Sequence, residues 1–261
     1  MILLRHELRQ GRKMLWIWTA AIVSFILICI FVYPDMKEEM EGVSDLFASM
    51  GNFTVAFGMD KLNFGTLKGF YAVECGNILG MGGAFYAAML GSMALAKEEK
   101  DHTAEFLLTH PVTRTSVVTE KLAAVMIQVI VMNLICFIIA SGSIMAIGEE
   151  MFWKEFILLH LAYCILHLEM AGICFGISAV IYRGSIGIGL GITAVMYFMN
   201  IIANISDKAE IFKYITPFGY TEGSNIISEA SLDPGLVLLG VFYGLIGIAF
   251  AYIYYSRKDV R

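Results

Sequence analysis

Apolar residues along this chain gather into blocks of about 20, the length of helix that crosses a hydrocarbon core roughly 30 Å thick. Six blocks are present: Met14 to Tyr33, Phe70 to Ala96, Val118 to Ile147, Phe156 to Tyr182, Ser185 to Ala203 and Gly235 to Tyr255. The pattern predicts an all-α integral membrane protein with six transmembrane helices, forming one domain over residues 1–261.

The connecting segments carry patterns of their own. In residues 1–13, Ile2, Leu3, Leu4 and Leu8 fall near one side of a helix and Arg5, Arg9 and Arg12 near another. Such a helix suits the membrane interface, with its arginines on anionic headgroups. A bland reading, a positive flank that only orients the first span, stands beside it. Residues 34–69 begin with acids (Asp35, Glu38, Glu39, Glu41, Asp45) and continue through an apolar run from Phe47 to Phe64 that Gly51, Gly58, Asp60 and Gly65 interrupt. A short helix and an interfacial stretch are expected there. In residues 204–234, Ile211, Phe212, Tyr214, Ile215, Phe218 and Tyr220 alternate with charges around Pro217 and Gly219, which predicts a broken interfacial or re-entrant segment before the last span. G-x-x-x-G pairs at Gly76/Gly80, Gly172/Gly176, Gly187/Gly191 and Gly240/Gly244 predict close helix approach, within the chain or at a subunit seam.

Composition agrees with the blocks. Hydrophobic residues make up 58% of the chain and charged ones 16%, with a mean hydropathy of +0.73. A soluble domain of this size carries roughly 25% charged residues. The net charge of -5 matters less than its distribution. Arg5, Arg9, Arg12, Lys13, Lys97, Lys100, Arg114, Lys121, Arg183, Arg257, Lys258 and Arg261 fall on one side of the predicted topology, and Lys37, Lys61, Lys68, Lys154, Lys208 and Lys213 on the other. The positive-inside rule therefore puts both termini in the cytoplasm of a multi-pass protein of the cell membrane. The first block lacks a small-x-small cleavage site and is expected to remain in the mature chain. Cys29, Cys75, Cys136, Cys164 and Cys174 lie in or beside the blocks without a C-x-x-C pair, so they read as small buried residues.

The cytoplasmic stretch 97–117 is charged at both ends and apolar at Phe106, Leu107 and Leu108, and Pro111 stops any helix running from Thr103 to Thr109. A short helix with exposed leucines needs a protein groove to cover it, so it reads as a docking element. From Glu98 to Arg114 the stretch is E-E-K-D-H-T-A-E-F-L-L-T-H-P-V-T-R. It resembles the pattern E-E-x-x-G-T-x-E-x-L-L-x-x-P-V-S-R that permease subunits of type-2 ABC exporters (ABC-2 type) carry after their second span. His102 stands for the usual glycine and Thr113 for the usual serine. The six blocks, the N-terminal helix, the long first outer loop and the broken segment before the last span are also similar to that family. The resemblance implies a permease domain whose coupling helix, around Thr103 to Thr109, sits in a cleft of a separate ATP-binding subunit. The candidate contacts are Glu98, Glu99, Thr103, Glu105, Phe106, Leu107, Leu108, Pro111 and Arg114. It further implies two ATP-binding cassette subunits, a second and identical permease, and ATP and magnesium held on the partner subunits.

This chain itself shows no cofactor motif. G-x-x-x-x-G-K-[ST] is absent, and the glycine-rich run from Gly184 to Gly191 has no lysine after it and lies in a span. No enzyme site, metal site or nucleic-acid partner is expected: His167 and Glu169 point about 160° apart on one helix, at 100° per residue, and His160 and His167 lack a third ligand. Glu74 and Glu169 fall within spans, where a charge costs roughly 2.5–3.5 kcal/mol on insertion scales. Glu169 shares a helical face with Gly172 and Gly176, and His160, Tyr163 and His167 take the opposite one. These acids, with the two glycines, are candidates for a cargo path or gate, or for structural hydrogen bonds between helices. The expected function is the membrane subunit of an ATP-driven exporter of a hydrophobic or amphipathic cargo such as a peptide, lipid or antibiotic. A non-transporting membrane scaffold or sensor that recruits a cytoplasmic partner is the alternative.

Overall fold

The computed structural model describes residues 2–49, 51–56, 61–97, 113–181 and 186–257. Every regular element among them is helical, as a chain in lipid requires where no sheet closes on itself. The first helix, α1, covers Ile2–Ser49. A short α2, Asn52–Ala56, leads to a compound helix: α3, Leu67–Phe70, then a π-helical stretch, Tyr71–Cys75, then α4, Gly76–Met93. Next come α5, Arg114–Ala146, α6, Trp153–Ser178, and α7, Ile186–Ile205. Short pieces follow, α8, Phe212–Ile215, a 3-10 turn, Pro217–Tyr220, and α9, Gly223–Glu229, before the final α10, Pro234–Arg257.

Five helical stretches among the described residues are long and apolar enough to cross a membrane: Leu3–Lys37, Arg114–Ala146, Trp153–Ser178, Ile186–Ile205 and Pro234–Arg257. Large apolar side chains on their outer surfaces, such as Ile17, Phe25, Ile138, Phe198, Leu238 and Phe242, stand exposed as lipid-facing residues do. The expected span from Phe70 to Ala96 is helical from Leu67 to Met93, but its glycines and Asn77 dilute its apolar character, and it lies inside the bundle.

Two boundaries differ from the sequence pattern. No break separates residues 2–13 from the first span, so the expected stand-alone interfacial helix is the first part of α1. Contacts with α5 hold it there: the Leu4 N–H donates to Glu120 Oε2 at 2.9 Å, and Glu7 pairs with the buried Lys121 at 2.9 Å. At the other end the helix continues through Pro34, where the pattern predicts a stop. Tertiary contacts outweigh the lost backbone bond. Tyr33 is fully buried on Phe70, its hydroxyl donates to the Gly65 carbonyl at 2.8 Å, and Lys37 pairs with Glu149 at 2.8 Å. After α7 the chain runs through short helical pieces before α10. Thr216 caps the 3-10 turn and anchors it by donating to the Met196 carbonyl at 3.0 Å, and Asp233 Oδ1 caps α10 behind Pro234.

The helix ends define two poles. The start of α1, the Lys97 side chain beyond α4, the start of α5 and the end of α10 meet at one pole, where Lys97 bonds Gln10 and Arg114 Nη1 donates to the Tyr255 carbonyl at 3.3 Å. Lys37 and Glu149 mark the other. The helix α6 is the most enclosed of the five, 61% buried over its apolar window against 17% for α10. It lies between α4 and α10, with α5 alongside.

Candidate functional site

The middle of α6 presents two faces of different chemistry, set by the 100° step between residues. One bears His160, Tyr163 and His167 and meets the compound helix. Glycines make that contact possible: a Cβ at Gly76 would come 2.5 Å from the Tyr163 hydroxyl, and one at Gly83 would come 2.2 Å from the His167 ring. His167 is fully buried, with Nε2 3.1 Å from the Gly80 carbonyl and Nδ1 3.0 Å from Asn133 Oδ1. Asn133 Nδ2 donates to the Val129 carbonyl at 2.9 Å, which aims its oxygen at the imidazole. His160 stands in an aromatic box of Phe137, Phe156 and Tyr71, with Nε2 2.8 Å from the Tyr71 hydroxyl. These rings tie the π-helical stretch, α5 and α6 together.

The opposite face carries Glu169, Gly172 and Gly176, and it packs on α10. A Cβ at Gly172 would come 2.9 Å from the Gly244 carbonyl oxygen, and one at Gly176 would come 2.5 Å from that of Gly247. The two backbones touch, with nothing larger than hydrogen between them. Glu169, only 3% exposed, lies over Gly240, where a Cβ would come 2.4 Å from Oε2. Tyr220, from the 3-10 turn, donates its hydroxyl to that Oε2 at 2.8 Å. Oε1 has no hydrogen-bond partner among the described residues. The carboxyl therefore joins three elements: α6 holds it, α10 leaves room for it, and the broken segment grips it.

Glu74 stands half-buried on the π-helical stretch, a backbone form that proteins use at functional sites. Neither Glu74 nor Glu169 lines one polar cavity of the bundle, a space of about 40 Å³ between α4, α6, α7 and the segment after it. At roughly 10–15 Å³ per water it admits about three or four. Its polar lining includes Asn77, Tyr163, Asn200, Asn204 and Glu222, and Asn200 Oδ1 is buried without a partner among the described residues. Sequence reasoning missed this cluster. The polar residues come from four segments that no pattern in the chain links; the available signal was Asn77 and Asn200 inside apolar blocks, with Asn204 four residues after Asn200 on the same helical face.

Of the residues expected to dock an ATP-binding subunit, Glu98, Glu99, Thr103, Glu105, Phe106, Leu107, Leu108 and Pro111 lie outside the described residues. Arg114 opens α5 behind the cap residue Thr113 and reaches the last turn of α10, where a cation meets the carbonyls of a helix C-terminus. Of the four G-x-x-x-G pairs, Gly76/Gly80, Gly172/Gly176 and Gly240/Gly244 make contacts within the chain, whereas a Cβ at Gly191 would meet nothing within 4 Å. No group of three or more His, Cys, Asp or Glu that could hold a metal occurs among the described residues.

Residues 1–260 match the model of the family described as ABC-2 family transporter protein, and the chain belongs to that family. It is a multi-pass membrane permease, a transport component of a kind that works with an ATP-binding subunit. No curated protein matches it.

Proposed function

Starting from membership of the ABC-2 transporter family, we propose that this chain is the membrane-spanning subunit of an ATP-driven exporter and crosses the bilayer six times with both termini in the cytoplasm. The family match over residues 1–260 carries the reading. The even count is supported by the two poles. The chain leaves the Arg114 pole in α1, and Lys97 and Arg114 are back at it, so the stretch Leu67–Met93 makes a return crossing. At 1.5 Å per residue that stretch is about 40 Å long, enough to span.

In this reading, a coupling helix around Thr103 to Thr109 sits in a cleft of the ATP-binding subunit, with Glu105 and the Leu107/Leu108 pair as its grip. Two permeases, identical to each other, work with two such subunits, which hold ATP and magnesium. The cargo is hydrophobic or amphipathic and moves out of the cytoplasm or the inner leaflet. A push on residues 98–112 reaches α4 and α5 directly, because the segment links them, and both helices pack on α6. The opposite face of α6 meets α10 through bare backbone, a surface on which helices slide without unlocking side chains. Glu169 and Tyr220 form the latch that such sliding strains. The lever transmits free energy only if these contacts differ between the nucleotide states.

The test is co-expression with the ATP-binding subunit, followed by measurement of assembly and of ATPase rate. Glu105→Ala and the double variant Leu107→Ala/Leu108→Ala are expected to lose assembly or to uncouple hydrolysis from transport. Normal assembly with fully coupled hydrolysis in both would contradict the docking role.

A further inference from the structure

The face that α1 turns to the compound helix is a ladder of opposed pairs. Tyr33 meets Phe70 with ring centroids 5.2 Å apart, Ile22 meets Gly82, where a Cβ would come 3.3 Å from the Ile22 side chain, and Trp18 meets Tyr86 with ring centroids 6.2 Å apart. Cys29 and Cys75 form the rung between the first two, and the Cys75 thiol donates a hydrogen bond to the Cys29 sulfur. From Tyr33 to Cys29 is one α-helical turn, whereas Phe70 to Cys75 is five residues, the i to i+5 repeat of the π-helical stretch that ends at Cys75. Beyond this rung the steps on the two helices match: seven residues to the Ile22–Gly82 contact and four more to Trp18–Tyr86. The irregular turn therefore sets the two sulfurs opposite each other.

The thiols differ in access. Cys75 is fully buried, and Cys29 is partly exposed beside Ile28, which stands 60% exposed on the outer side of α1. Cys136, Cys164 and Cys174 have no thiol beside them among the described residues. Cys29 lies eight residues before Lys37, which marks one pole, so at 1.5 Å per residue the pair is about 12 Å from it. A small oxidant arriving from that pole or through the lipid meets Cys29 first and reaches Cys75 only through it.

We infer that Cys29 and Cys75 are an oxidation site, at which a peroxide converts the paired thiols into an intrachain disulfide. The Cys29 sulfur attacks one peroxide oxygen and the O–O bond breaks. The thiol proton leaves on the departing oxygen, as water from hydrogen peroxide or as an alcohol from a lipid hydroperoxide, and Cys29 becomes a sulfenic acid. The Cys75 sulfur then attacks the Cys29 sulfur, the S–O bond breaks, and water carries off the Cys75 proton. The two thiols give two electrons to the peroxide, and no further reactant is consumed. The resulting bond pins α1 to the compound helix. That clamp bears on transport only if the proposed function holds, in which the stretch Leu67–Met93 takes the push from residues 98–112; the site itself needs no partner subunit.

The full chain in lipid nanodiscs is treated with hydrogen peroxide, denatured, labelled with N-ethylmaleimide and digested for mass spectrometry. Cys29 and Cys75 should lose their labelling and appear as one linked peptide pair, lighter by the two thiol hydrogens and separated by dithiothreitol. Cys136, Cys164 and Cys174 should label as before. Cys75→Ser should leave Cys29 as a sulfenic acid that dimedone captures, an adduct absent from the oxidised wild type, and Cys29→Ser should leave Cys75 labelled. Labelling of all five cysteines after peroxide, or Cys29 linking two chains instead of meeting Cys75, overturns the site. With the ATP-binding subunit present, oxidised wild type should lose coupled hydrolysis until it is reduced, and Cys29→Ser should keep it. A bridged protein that still couples refutes the movement of α4 in the proposed function and leaves the oxidation site standing.

Discussion

A carboxyl in the middle of a spanning helix is retained at a cost, and Glu169 shows what holds it. Tyr220 donates to Oε2 from 51 residues away, and Gly240 leaves the space in which the carboxyl sits. Removing the donor with Tyr220→Phe leaves a buried acceptor unmet, so we expect a loss of about 1–3 kcal/mol, read as a lower melting temperature in detergent. Gly240→Ala acts on the same bond by another route: its Cβ displaces the flexible end of Glu169 and pulls it from Tyr220. The two changes should therefore not add, and the double variant should be little worse than Tyr220→Phe alone. Costs that sum in full would show that Gly240 serves something other than this carboxyl. The 100° step was enough to place Glu169 with Gly172 and Gly176 on one face. Tyr220 was not legible, because no pattern in the chain links a residue of a broken loop to one acid in a distant helix.

Among the helices, spacing identifies glycine pairs but does not tell which face touches a neighbour. Gly176 and Gly191 both belong to G-x-x-x-G pairs in apolar blocks, yet a Cβ at Gly176 would strike the Gly247 carbonyl at 2.5 Å while one at Gly191 meets open space. Backbone cannot step aside as a side chain does. Gly176→Ala should force α6 and α10 apart and cost about 1–3 kcal/mol or more, whereas Gly191→Ala should be neutral or stabilising by up to about 1 kcal/mol. Thermal denaturation of the two variants side by side decides it, and equal effects would mean the α6–α10 contact is not tight. The ends of α1 teach the same lesson. The apolar pattern set residues 1–13 apart as an interfacial helix and ended the first block at Tyr33, but Glu7, Tyr33 and Lys37 find partners elsewhere in the chain that hold the turns helical.

For the whole molecule, the span count fixes the sidedness of everything else. Hydropathy picks out five helical stretches in the structure, since the stretch Leu67–Met93 exchanges apolar side chains for the glycines that let it sit against α6. Five crossings would leave the termini on opposite sides of the membrane, and six put them on one side. The hydrogen bonds at one pole favour six, because Leu4 bonds Glu120 and Arg114 bonds the Tyr255 carbonyl, which gathers both chain ends beside the start of α5. Intact cells carrying Arg5→Cys, Lys208→Cys or Lys258→Cys are treated with a membrane-impermeant maleimide. The native cysteines lie within helices of the bundle and give little background. Lys208→Cys should label in intact cells, and Arg5→Cys and Lys258→Cys only after lysis. Labelling of one terminus but not the other would remove the return crossing, and with it the link from residues 98–112 through α4 and α5 to the Glu169 latch.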